Sequence, residues 1–197
     1  MRRLETGFLC EGTSDVSTLK ILVERLLGEF GFEMSVVEEL SNPTNGPISE
    51  KATKLRAKLF ADAGIDIALF IADADKIGFS AKHERIKKWV TEATPFWAEH
   101  CIVGIPERNL EAWLLADQDT VKKMLKLDGG KSLPFASMKD PKERLIKLVA
   151  EFSDKFLLPA MFRVDIARKA NLNTMRNNSN SFRAFSDELR NVLTLFA

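Results

Sequence analysis

Two aspartates one residue apart, Asp73 and Asp75, close the apolar run "LFIADADK" at residues 69–76. Like charges at that spacing repel. A hard divalent cation such as Mg2+ or Mn2+, held through carboxylate oxygens and water, turns the repulsion into ligation. The ordinary alternative is local: an Asp at a strand end accepts hydrogen bonds from nearby backbone N–H groups, and Asp75 is placed to cap a helix opening near Lys76. Further acids end two other apolar runs. Glu11 follows "GFLC" and Glu107 follows "CIVGIP", while Asp15 and Glu111 each lie about one helical turn beyond these. In an open parallel sheet, ligands bind at the carboxyl ends of the strands. The joint placement of the acids at that edge therefore says more than any one of them.

The elements that must carry these residues alternate. "LETGFLCEG", "FEMSVVEEL", "DIALFIAD" and "EHCIVGIP" read as strands. Between them, "SDVSTLKILVERLLGEFG" spaces Leu19, Leu22, Val23, Leu26, Leu27 and Phe30 for one helix face, with Ser14 or Asp15 as N-cap and Gly31 as the stop. "ISEKATKLRAKLFADAG" and "AKHERIKKWVTEA" are two more helices, and "SNPTNGP" is a loop by its turn residues. Strand and helix in alternation predict an α/β fold, a mainly parallel sheet with helices on its faces. From "RNLEAWLLAD" onward the pattern is helical: "DTVKKMLKL", "DPKERLIKLVAEF", "PAMFRVDIARKA" and "SNSFRAFSDELRNVLTLF". The Gly/Ser/Pro-containing "KLDGGKSLPFASMKDP" reads as the joint. The expected division is an α/β catalytic unit over 1–119 and a helical C-terminal extension over 120–197, packed on it as one domain.

With 197 residues, 45% of them hydrophobic, the chain can bury one sizeable core. No stretch approaches the roughly 20 apolar residues of a membrane span, and the opening "MRRLETGFLCEG" lacks an apolar signal region. A soluble, cytoplasmic protein is expected. Cys10 and Cys101 lie inside apolar runs, which suits reduced core thiols, and two cysteines with two histidines make a zinc site a poor fit. The net charge of +1 hides an asymmetry. Residues 1–119 hold 14 Lys and Arg against 20 Asp and Glu, whereas 120–197 hold 15 against 8. An acidic first part suits metal ions and a basic last part suits a phosphate backbone.

Two other reasons for an apolar run ending in Asp are weaker. A Walker B strand needs a phosphate-binding G-x-x-x-x-G-K-[ST] loop, and "EGTSDVS" lacks the second Gly and the Lys. A phosphoacceptor receiver domain wants an acidic pair after its first strand, where this chain has Glu11 followed by Gly12.

"FLCEGTSD" before a helix, followed later by "LFIADADK", resembles a TOPRIM domain, the fold shared by topoisomerases, primases and OLD-type nucleases, over roughly residues 4–115. "IPERNLEAWLLAD" and "SFRAFSDELR" resemble a bacterial TOPRIM-like family of uncharacterised proteins, and extend the likeness to nearly the whole chain. The resemblance implies an open, mainly parallel four-stranded sheet flanked by helices, with an α-helical C-terminal section. It implies Glu11, Asp73 and Asp75 as catalytic residues, and Glu11, Asp15, Asp73, Asp75 and Glu111 as ligands of Mg2+ or Mn2+. Glu107 competes with Glu111 for the last place, and Glu111 is otherwise an ordinary solvated helix residue.

Within that group, topoisomerases cut through a tyrosine ester, and this chain has no Tyr. Primases bring zinc or helicase-binding modules for which there is no room. Metal-dependent hydrolysis of a phosphodiester remains. The expected function is a nuclease acting in phage defence or DNA processing, with DNA preferred to RNA. Lys76, Arg108, Arg176 and Arg183 are the nucleic-acid contacts, and Arg163, Arg168 and Lys169 further basic candidates beside the loop-like "NLNTMRNNSNS". Homodimerisation and an AAA/ABC-type ATPase partner fit the resemblance. The competing reading is a non-hydrolytic regulatory or toxin-like subunit that engages such an ATPase.

Overall fold

The apolar runs around Phe8, Phe70 and Ile102 become adjacent strands of one sheet. The computed structural model describes residues 2–197 apart from 39, 41, 45, 75, 128–131, 135–137 and 154–157. Its strands are β1 (Arg2–Cys10), β2 (Phe32–Val36), the two-residue bridge β3 (Asn42–Pro43), β4 (Ile67–Ile71) and β5 (Cys101–Gly104). Their order is β2-β1-β4-β5, with β3 continuing the β2 side of β1, and every pairing is parallel. The α/β architecture with an open parallel sheet and a helical C-terminal part is thus the one expected.

The central strands are buried on both faces, which is why they read as unbroken apolar runs. Alternation along each strand sorts their side chains into two layers. Phe8, Cys10, Leu69, Ile71 and Ile102 point into one, together with Leu19, Leu22, Val23, Leu26 and Leu27 of α1 (Thr13–Glu29). Leu9, Ala68, Phe70, Cys101 and Val103 point into the other, against Ala57 and Phe60 of α2 (Glu50–Asp62) and Ile86 and Val90 of α3 (Phe79–Ala93). Gly7 is where α2 comes closest, since a Cβ there would lie 2.5 Å from the Phe60 ring.

One helix cannot cover a sheet face. The C-terminal helices complete the α1 layer: α4 (Leu110–Leu114), α5 (Gln118–Met124), α6 (Pro141–Phe152), α7 (Pro159–Lys169), α8 (Leu172–Asn178) and α9 (Asn180–Leu193). Trp113, Leu148, Phe162, Phe182, Phe185 and Leu189 join the same apolar cluster as α1. Trp113 stacks on Phe185 with ring centroids 5.1 Å apart, and its indole N–H donates to Ser181 Oγ at 2.8 Å. Gly104 admits this packing, because a Cβ would stand 3.0 Å from both rings and 2.6 Å from Ile71.

Three local expectations are corrected. The "NLNTMRNN" stretch is a helix, α8, because the Asn171 side chain accepts from Thr174 N at 3.0 Å and Leu172 and Met175, three residues apart, are buried. The N-cap of α1 is Gly12 rather than Ser14 or Asp15. Part of the "SNPTNGP" loop adds the β3 bridge to β1. Ser179 caps α9 by accepting from Phe182 N. Both cysteines are buried and free, and burial pushes each thiol up to about 12, which keeps them inert. Among the described residues, no helix is long and apolar enough to cross a membrane.

Candidate functional site

Strand register brings the acids together. Cys10 pairs with Ile71 across β1 and β4, so Glu11 and Asp73 leave the sheet at the same carboxyl edge on strands about 4.8 Å apart. The strand geometry runs past Ile71, since Ala72 N donates to Gly104 O at 3.1 Å and Ala74 N to Pro106 O at 3.0 Å. Alternation therefore sends Asp73 to the α1 face and Glu11 to the α2/α3 face. The two carboxylates flank the edge from opposite sides.

Glu11 is held in place. Its Oε1 accepts from Ile48 N at 3.3 Å and from Lys82 Nζ at 3.2 Å. Lys82 lies in α3 with a side chain 7% exposed, against 16% for Glu11. On the α1 face, Arg163 of α7 does the corresponding work for two acids. Its Nη1 donates to Asp15 Oδ1 at 3.0 Å and to Glu111 Oε1 at 2.8 Å. Asp15 sits in the first turn of α1, where the helix dipole also favours negative charge. Glu111 is 3% exposed, so it is a buried ion-pair partner and not a solvated helix residue.

The remaining candidates are spread more widely. Glu107 is exposed and lines a cavity of about 370 Å3 with Arg144, Asn178 and Ser179, away from the Arg163 cluster. Asp75 lies outside the described residues. Lys76 and Arg108 are exposed just beyond the ends of β4 and β5, at the edge where Glu11 and Asp73 emerge. Arg176 instead pairs with Glu29 of α1 and donates from Nε to Ser186 Oγ at 2.8 Å. Arg183 is exposed and donates to the carbonyls of Arg176 and Asn177 at 3.0 and 3.4 Å. Arg168 pairs with Asp165 on an exposed turn. Among the described residues, no group of three or more His, Cys, Asp or Glu side chains is arranged to hold a metal.

Two residues of the site escaped the sequence reading in their actual role, Lys82 and Arg163. A signal for each exists. Lys82 occupies the helical stripe of Ile86 and Val90, and Arg163 the stripe of Ile166, Ala167 and Ala170. A buried cation where an apolar residue belongs must find an anion, and both do.

The family described as "Domain of unknown function (DUF4276)" matches residues 10–190. No curated protein and no solved structure matches the chain.

Proposed function

The chain belongs to the DUF4276 family, whose description assigns no chemistry, and we propose from the site that it is a Mg2+- or Mn2+-dependent nuclease of TOPRIM or OLD type. It would act in the cytoplasm on DNA in preference to RNA, in phage defence or DNA processing. The observation that carries this reading is the Cys10–Ile71 register, which brings Glu11 and Asp73 out at the same carboxyl edge of a parallel sheet, one from each face.

The donor chemistry fits a hard cation. Glu11 and Asp73 supply carboxylate oxygens, and Asp75 joins them on its sequence position. Bound there, the ion would lower the pKa of a water and neutralise charge on the scissile phosphate. Lys82 orients Glu11 and would offer a positive charge to a phosphate bound on that side of the edge. Lys76 and Arg108 flank the edge and suit backbone phosphates, contacts that position a nucleic acid without reading its bases. Arg163 holds Asp15 and Glu111, so the ligand set proposed is Glu11, Asp73 and Asp75, with Glu11 exchanging its Lys82 contact for the ion.

Purified protein incubated with plasmid and with single-stranded RNA should cleave in Mn2+ and stop in EDTA. Asp73→Ala should lower cleavage by about a hundredfold or more, the order expected when a group that positions charge at the transition state is removed. Its melting temperature should stay within a few degrees of wild type.

A second reading has its own support. Glu11, Asp15 and Glu111 each have a cation of the chain itself within 3.2 Å. Such a self-neutralised edge suits a non-hydrolytic subunit that uses the fold to engage a partner ATPase of AAA or ABC type. Protein that binds Mn2+ yet cuts neither nucleic acid, alone or with the product of a neighbouring ATPase gene, would favour this reading over hydrolysis.

A further inference from the structure

The outer edge of β5 poses a problem that the site does not address. β5 ends the sheet, and its sequence through residue 106, Cys-Ile-Val-Gly-Ile-Pro, carries no charge. An uncharged apolar edge strand is a template for pairing with another chain. Gly104 O accepts from Ala72 N of the inner neighbour. Successive residues alternate sides, so the backbone groups of Cys101 and Val103 point outward, away from the sheet.

Two side chains meet them. Lys87 of α3 donates from Nζ to Cys101 O at 2.6 Å, and Glu188 of α9 accepts at Oε1 from Val103 N at 3.3 Å. The same Oε1 lies 2.6 Å from Lys87 Nζ, and Glu188 Oε2 lies 2.6 Å from His83 Nε2. A residue of an adjoining parallel strand would donate to the C=O of one residue and accept from the N–H two residues on. Lys87 and Glu188 present that pattern of donor and acceptor to Cys101 and Val103. We propose that this ion pair is a surrogate strand, which satisfies the β5 edge and closes it to pairing with a second copy of the chain.

The occupant excluded is a second copy because an edge unsatisfied in one molecule is unsatisfied in every molecule of a purified sample. Two such edges pair antiparallel about a two-fold axis. The polarity of the pair separates this role from that of a plain salt bridge. The carboxylate must face the N–H and the ammonium the C=O, so exchanging the two residues keeps the ion pair but sets donor against donor.

The test uses the full chain, with sedimentation velocity for self-association and amide hydrogen exchange at Val103. Glu188→Ala should give faster-sedimenting species that grow with concentration, and Val103 exchange about tenfold faster, the equivalent of one hydrogen bond. Glu188→Gln, which keeps an acceptor oxygen, should stay near wild type in both. The exchanged variant, Lys87→Glu with Glu188→Lys, should behave like Glu188→Ala. Recovery of wild-type sedimentation and exchange in the exchanged variant would overturn the proposal and leave an electrostatic clasp. A folded Glu188→Ala protein that sediments like wild type would overturn it as well. If Glu188→Ala does not fold, Lys87→Met carries the same test, and wild-type sedimentation there is the overturning result.

Discussion

The two faces of the carboxyl edge neutralise their acids by different routes. On the α2/α3 face, the α/β unit supplies both partners, Glu11 and Lys82. On the α1 face, Asp15 and Glu111 of the first part are bridged by Arg163, which lies 148 residues from Asp15. The chemistry of the cations matches the difference. A planar guanidinium spans two carboxylates in a fixed geometry, whereas an ammonium on a flexible stem is a point charge that can shift toward an incoming anion. The Arg163 bridge is therefore structural in character, a pin between the α/β unit and the helical section. The Lys82 contact is suited to giving way when a ligand arrives. At the β5 edge the exchange runs the other way, with an acid from α9 answered by Lys87 and the His83 ring of α3.

The comparison breaks most visibly at Arg163. Removing one member of a buried ion cluster strands the charges left behind, so Arg163→Met should cost about 3–5 kcal/mol in denaturant unfolding. Its melting temperature should fall in EDTA and in Mn2+ alike. Lys82→Met should cost less, about 1–3 kcal/mol, the scale of leaving a buried polar partner unsatisfied. If both variants lose the same stability, the distinction between pin and yielding contact is wrong.

Acid titration sharpens the third contact. Burial pushes the Glu188 carboxyl up, but the hydrogen bond from His83 and the charge of Lys87 outweigh it and hold the group below the usual 4.5. A depressed folded value means that Glu188 contributes stability that is complete above its unfolded value. That contribution is lost as pH falls through the folded one. Wild-type stability should therefore drop more steeply below about pH 4.5 than that of Glu188→Gln, measured by urea unfolding at each pH.

The smallest effect is expected at a helix cap, where Asp140 also accepts from Asn109 Nδ2 at 3.2 Å. Asp140 caps α6 by accepting from Lys142 N at 2.8 Å and Glu143 N at 3.2 Å. Asp140→Ala should cost about 1 kcal/mol in denaturant unfolding.

Much of this was legible in the chain. Runs such as "DIALFIAD" alternate with amphipathic helices, and that pattern alone requires a parallel sheet with the strand-end acids at one edge. The short α8 was hidden because Asn and Ser serve equally in loops and as helix caps, and its apolar stripe is only Leu172 and Met175. Arg163 looked like one more basic residue in a basic segment. Its burial depends on Asp15 and Glu111, and no local pattern joins residues so far apart.

Local sequence, then, determined the elements, their parallel arrangement and the carboxyl edge as the place for charge, because periodicity and strand-end chemistry act over a few residues. Which cation meets which acid was decided by tertiary packing alone. Pairing depends on helices crossing the sheet faces at particular registers, and those registers follow from how the whole apolar interior fits together.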